Sequence, residues 1–154
     1  VLEAAKAPST PPVTAEQLTQ KDKMLIRYYT VQISTHMGNL RQAIDSFLET
    51  VEKNQPPKFF IAYGKFVVVS AYNLVTIGDI VHRNVSQAEV KKTILRCSDA
   101  LSDALKICVT KSKKAAAQFP SVSAVQEMVD SVVDISHLAS ELKSAMMRAV
   151  QLTV

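Results

Sequence analysis

The side chains able to do chemistry in this chain are His36, His82 and His137, Cys97 and Cys108, a large stock of serines, and the basic run Lys111, Lys113 and Lys114. Catalysis or metal binding needs such groups to converge. The histidines stand in three separate stretches and none belongs to a Glu-x-x-His pair, the spacing by which a helix offers two ligands from one face. Structural roles are expected for all three. Cys97 and Cys108 lie eleven residues apart with no C-x-x-C and no histidine at ligand spacing, so neither zinc nor a disulfide framework is indicated. Free, buried thiols in a reducing compartment are expected instead. No serine occupies a G-x-S-x-G elbow and no G-x-x-x-x-G-K-[ST] loop occurs, and 3 glycines leave little material for either. The lysine run fits an acidic helix or a lipid headgroup, or, as most charge runs do, a solvated helix end whose dipole favours cations. The residue types therefore argue against an enzyme and imply no cofactor and no metal.

Function must then lie in a surface, and composition limits which. With 18 basic and 14 acidic residues the net charge is +4 and the pI ≈ 9.1, short of a nucleic-acid footprint. A length of 154 residues with 47% hydrophobic content is one domain with a sizeable core. No run of about 18 uncharged apolar residues occurs, since Lys58, Lys65 and Asp79 interrupt the richest stretch, and no signal-peptide pattern opens the chain. A soluble, cytosolic protein is expected. The opening "VLEAAKAPSTPP" lacks an initiator Met, so the chain is expected to be part of something longer.

The elements follow from breakers and periodicity. Residues 1–13, rich in Ala, Pro, Ser and Thr, are expected to be a linker or tail; Pro8 and Pro11 form P-x-x-P without the basic flank of an SH3 ligand. A bundle is expected over residues 14–154. Its first helix, about 20–53, starts at a cap formed by Thr14 with Gln17 or by Thr19 with Asp22. Its seam is Ile26, Ile33, Leu40 and Phe47, interleaved with Met37, Ile44 and Val51.

The stretch "FVVVSAYNLV" has the composition of a buried strand, but length decides otherwise. From Pro57 to Asn84 only Gly64 and Gly78 interrupt, so a helix over about 57–83 is expected. Phe60, Val67, Leu74 and Val81 recur every seven residues, and Gly64, Ala71 and Gly78 recur between them, giving a small-residue seam that admits a neighbouring helix closely. A third helix, about 87–118, is expected from a Ser86-x-x-Glu89 capping box, with Val90, Ile94, Cys97, Leu101, Ala104, Cys108 and Ala115 inward. The fourth, about 122–150, follows Pro120 and a Ser121 or Ser123 cap, with Met128, Val132, Ile135, Ala139, Leu142, Met146 and Ala149 inward. Short connections force antiparallel neighbours, so the expected fold is all-α, an up-down-up-down four-helix bundle.

If Gly64, Ala71 and Gly78 face inward, then Val69, Tyr72, Thr76 and Asp79 form one outward stripe, flanked by Phe59, Phe66 and Ile80. Either neighbouring helices cover most of it, or it docks another protein.

The stretches "QPPKFFIAYGKFVVVSAYNLVTIGD", "IRYYTVQISTH" and "FPSVSAVQEMVDSVVDIS" resemble the C-terminal domain of the Cas (Crk-associated substrate) scaffold family, over about residues 20–148. The resemblance implies a focal-adhesion-targeting-like bundle with no catalytic role, found in the cytoplasm at focal adhesions and the associated cytoskeleton. It implies binding to the Cdc25-homology domain of NSP-family SH2 adaptors through the second helix, at positions that correspond to Val69, Thr76 and Asp79. Family members commonly carry bulky apolar residues at the first two. Val69 is a reduced version and Thr76 a loss, and losing one large side chain from an interface centre costs about 2 kcal/mol or more, around thirtyfold in affinity. Weak or selective adaptor binding is therefore expected, with Asp79 meeting a basic partner residue. An alternative by the same resemblance is a groove for paxillin-type amphipathic leucine-rich helices, served by Lys58, Lys65, Lys91, Lys92 or Lys106. Another is a structural bundle that associates with itself or with other Cas-family proteins.

Overall fold

In the computed structural model, which describes residues 18–152, the chain forms helices α1 (Gln20–Glu52), α2 (Pro57–Asn84), α3 (Ala88–Ala117) and α4 (Val122–Gln151). The stretch 1–13 and the pair Thr14 and Gln17 lie outside the described residues. Thr19 caps α1, its hydroxyl accepting from the Asp22 amide at 3.0 Å. The far end closes in a Schellman motif: the Asn54 amide donates to the Val51 carbonyl at 2.9 Å and the Gln55 amide to the Thr50 carbonyl at 3.0 Å. Asn54 holds φ 53°, a left-handed conformation that asparagine tolerates better than most residues. Two prolines then stop any continuation, and Pro57 supplies the first turn of α2. Ser121 caps α4, accepting from the Ala124 amide at 3.3 Å.

The start of α3 departs from the capping box expected at Ser86. Gln87 is the cap, its side-chain oxygen accepting from the Val90 amide at 2.7 Å. Ser86 is engaged elsewhere, because its amide and hydroxyl both donate to the Asp22 carboxylate, at 2.9 and 2.8 Å. Asp22 is only 1% exposed. Burial works to raise its pKa, but the hydrogen bonds from Ser86, together with backbone bonds at Thr19 and Gln87, hold the carboxyl below its ordinary range.

The helices pack in ring order. α1 lies against α2 and α4, α3 lies against α2 and α4, and across the diagonals α2 touches α4 lightly while α1 and α3 do not meet. This is the antiparallel up-down-up-down bundle, with Phe47, Phe60, Leu74, Leu101, Ile135 and Leu142 fully buried along its axis. Two expected seams drift. In α1, Ala43 and Thr50 are buried where Ile44 and Val51 are only half-buried, and in α3 Ser98 replaces Cys97. An α-helix turns once in 3.6 residues, so a strict seven-residue register slips by about 20° per heptad and hands the inner position to the neighbouring residue.

Gly64, Ala71 and Gly78 face inward. A Cβ at Gly78 would overlap the Ser98 hydroxyl and lie 3.6 Å from Leu142 Cδ1; one at Gly64 would meet Met128 Cε at 2.8 Å. The glycines thus let α2 approach α3 and, across the diagonal, α4. That burial matters because α2 is also the one helix among the described residues long and apolar enough to cross a membrane, with a mean hydropathy of 1.5. Its inner face is core.

Candidate functional site: a docking face on the second helix

Successive residues of a helix are rotated by 100°, so the positions opposite Gly64, Ala71 and Gly78 are set by the same backbone that buries those three. Val69 and Tyr72 are 58% and 60% exposed, Thr76 is exposed, and Phe66 adds a ring that is 57% exposed. Neighbouring helices do not cover this stripe. Phe66 tilts against Tyr63 with ring centroids 6.0 Å apart, and Lys58 stands 5.2 Å over the Phe59 ring at the start of the helix. The Thr76 hydroxyl donates to the Tyr72 carbonyl at 3.1 Å, so it makes no polar demand on a partner.

Asp79 is placed differently from the other three. It is half-buried at the edge of the face, with one carboxylate oxygen 3.4 Å from His82 Nε2 on the next turn. Ile80, expected to enlarge the stripe, is also half-buried.

A second exposed apolar stripe went unread in the sequence. Met24, Tyr28 and Val31 of α1 point to solvent at spacings of four and three, opposite the Ile26 and Ile33 seam. The signal was present as the outward complement of that seam.

The reactive side chains stay apart. His36, His82 and His137 fall on α1, α2 and α4, and no group of three metal-ligating side chains occurs among the described residues. Cys97 is half-buried and Cys108 fully buried; burial pushes both thiols up from their ordinary pKa. Lys114 lies in the last turn of α3 and Lys113 is exposed, as expected of a basic helix end, but Lys111 and Lys114 are also paired. Both donate to Glu127 of α4, at 3.0 and 2.9 Å, and these bonds, that from Lys114 foremost, hold its carboxyl below the usual range. Glu127 lies 16 residues beyond Lys111, out of reach of any local pattern. Lys58, Lys65, Lys91, Lys92 and Lys106 are all exposed, and none lines the three clefts between α3 and α4.

An all-α, antiparallel four-helix bundle with outward aromatic and aliphatic faces on α1 and α2 is the class that fold and surface define. Residues 2–146 match the family of the Crk-Associated Substrate C-terminal domain, and the chain belongs to that family. It is 39% identical over 126 residues to breast cancer anti-estrogen resistance protein 1 of Mus musculus, covering 82% of this chain and 14% of that protein. It is 37% identical over 136 residues to enhancer of filamentation 1 of Homo sapiens, covering 88% of the chain and 16% of the relative. Embryonal Fyn-associated substrate of Homo sapiens is 34% identical over 115 residues, covering 75% and 20% respectively. The chain thus spans a fifth or less of each of these relatives.

Proposed function

We propose that this chain is the docking module of a Cas-type scaffold in adhesion signalling, with the outward face of α2 as its protein-binding surface. The proposed partner is the Cdc25-homology domain of NSP-family SH2 adaptors, and its capture helps place the scaffold at focal adhesions. The supporting observation is the uncovered run of Phe66, Val69 and Tyr72 on one helix face. Aromatic side chains on a rigid helix are the usual anchors of an interface, because they bury large area while losing little side-chain freedom. Thr76 leaves the centre of the face small, which favours weak or selective binding. Asp79 supplies a carboxylate at the edge, where it meets a basic partner residue or its own His82.

Calorimetric titration with a purified adaptor domain tests this reading. Binding should weaken on Asp79→Arg and on Tyr72→Ala while the thermal midpoint holds. Tight binding indifferent to Asp79→Arg and Tyr72→Ala would remove the α2 face from the account.

A further inference from the structure

The geometry points to a second docking groove, between α3 and α4, fitted to an amphipathic helix that carries cations at its centre and acids towards its ends. The groove has an apolar floor of Ala100, Ala104 and Leu138, with Ile107 standing 53% exposed at its lip. Asp103 of α3 and Asp134 of α4 form its two walls, and both are exposed. Its volume, ≈ 260 Å³, falls below the roughly 300–1,000 Å³ of small-molecule sites, so it suits side chains of a docked segment. The walls are helices whose backbone groups are already bonded. They offer an occupant no backbone pairing, which disfavours an added strand, and a helix, with its own backbone bonds internal, can lay its side chains into such a groove.

Charge order along the groove narrows the partner. Carboxylates on opposite walls attract a cation, in a chain whose net charge is +4. His137 also lines the next cleft along, where Arg96 and Arg148 stand with Glu141. In the other direction Lys111 and Lys114 share the single carboxylate of Glu127. At 1.5 Å per residue, Arg96 is about 10 Å and Lys111 about 12 Å along α3 from Asp103. The occupant's cations are thus confined to about two turns, with acids favoured on either side. This surface lies off the α2 face and leaves that face free.

Two helical peptides of identical composition test the inference. Both carry leucines at i, i+4, i+7 and i+11; one has central lysines and terminal glutamates, the other the reverse. Titrated into the whole 154-residue chain, the first should bind about tenfold more tightly and lose affinity as salt rises. Its amide shifts should centre on Ala100, Ile107 and Leu138. Asp103→Lys combined with Asp134→Lys should invert the preference, and Ile107→Glu should abolish binding by both. All three positions lie outside the fully buried core, so a native amide spectrum is expected for each variant. Equal affinities, shifts centred on α2, or a preference untouched by the double charge reversal would overturn the proposal. So would sedimentation showing a dimer that Ile107→Glu dissolves, since the groove would then hold a second copy of this chain.

Discussion

Asp22 and Ser86, 64 residues apart in sequence, are joined by two hydrogen bonds from one residue to one carboxylate. A single buried side chain thereby fastens the first turn of α1 to the link between α2 and α3. The folded carboxyl is held below its ordinary pKa, so its contribution is complete above the unfolded value of about 3.9 and fades as pH falls through the folded value. Asp22→Asn, which removes the charge and leaves one acceptor oxygen where two Ser86 donors now bond, should cost about 1–3 kcal/mol at pH 7. Urea midpoints at pH 7 and pH 3 should show the gap between wild type and variant narrowing in acid.

Gly78 faces Ser98 at a close approach of α2 to α3. Gly78→Ala should destabilise by about 1–3 kcal/mol, because overpacking exceeds the roughly 1 kcal/mol that alanine gains over glycine in a helix. Gly38→Ala, with nothing within 4 Å of the new Cβ, should stabilise by up to about 1 kcal/mol. The buried Ser98 hydroxyl has no hydrogen-bond partner among the described residues, so adding Ser98→Ala to Gly78→Ala should recover part of the loss. Chemical denaturation of the three variants is sufficient to check all of this.

On the α2 face the two informative substitutions act in opposite directions. Tyr72→Ala should cost about 2 kcal/mol of adaptor binding, and Thr76→Leu should tighten it by about tenfold by restoring apolar area at the centre. Both positions are exposed, so folding stability should move by no more than about 0.5 kcal/mol. Parallel binding and denaturation measurements separate the two effects.

Burial predicts the order of thiol reactivity. With a disulfide reagent at pH 8, Cys97 should react more slowly than a free thiol and Cys108 only once urea has opened the bundle. Peptide mapping after timed quenching gives both rates.

The sequence carried the bundle plainly in some places and not in others. Ile26, Ile33, Leu40 and Phe47 announce one face of α1 because large apolar residues at helical spacing have few other uses. Ala43 and Thr50 carry no such announcement, and they become core only through the drift between 3.5 and 3.6 residues per turn. Ser86-x-x-Glu89 satisfied a local rule, and the rule failed because a carboxylate from the first turn of α1 took both of the Ser86 donors. The Lys111 and Lys114 pairing with Glu127 was hidden for the same reason. On the candidate face, helical phase alone separated Val69, Tyr72 and Thr76 from the core. Asp79, expected on the same stripe, is half-buried, and helical phase alone does not carry that.

The ring order has a kinetic consequence. Three of the four lateral interfaces join helices consecutive in the chain, and only the closure of α1 on α4, the lightest of the four, joins its ends. Contacts so short in sequence favour folding in microseconds to milliseconds. The closing seam must wait for the whole chain. It should also be the first to part, and native-state hydrogen exchange should find less protection along α1 and α4 than along α2 and α3. With Asp22 bound to Ser86, α1 stays fastened to the link that follows α2 during such an opening. An opening along that seam would then part a hairpin of α1 and α2 from one of α3 and α4.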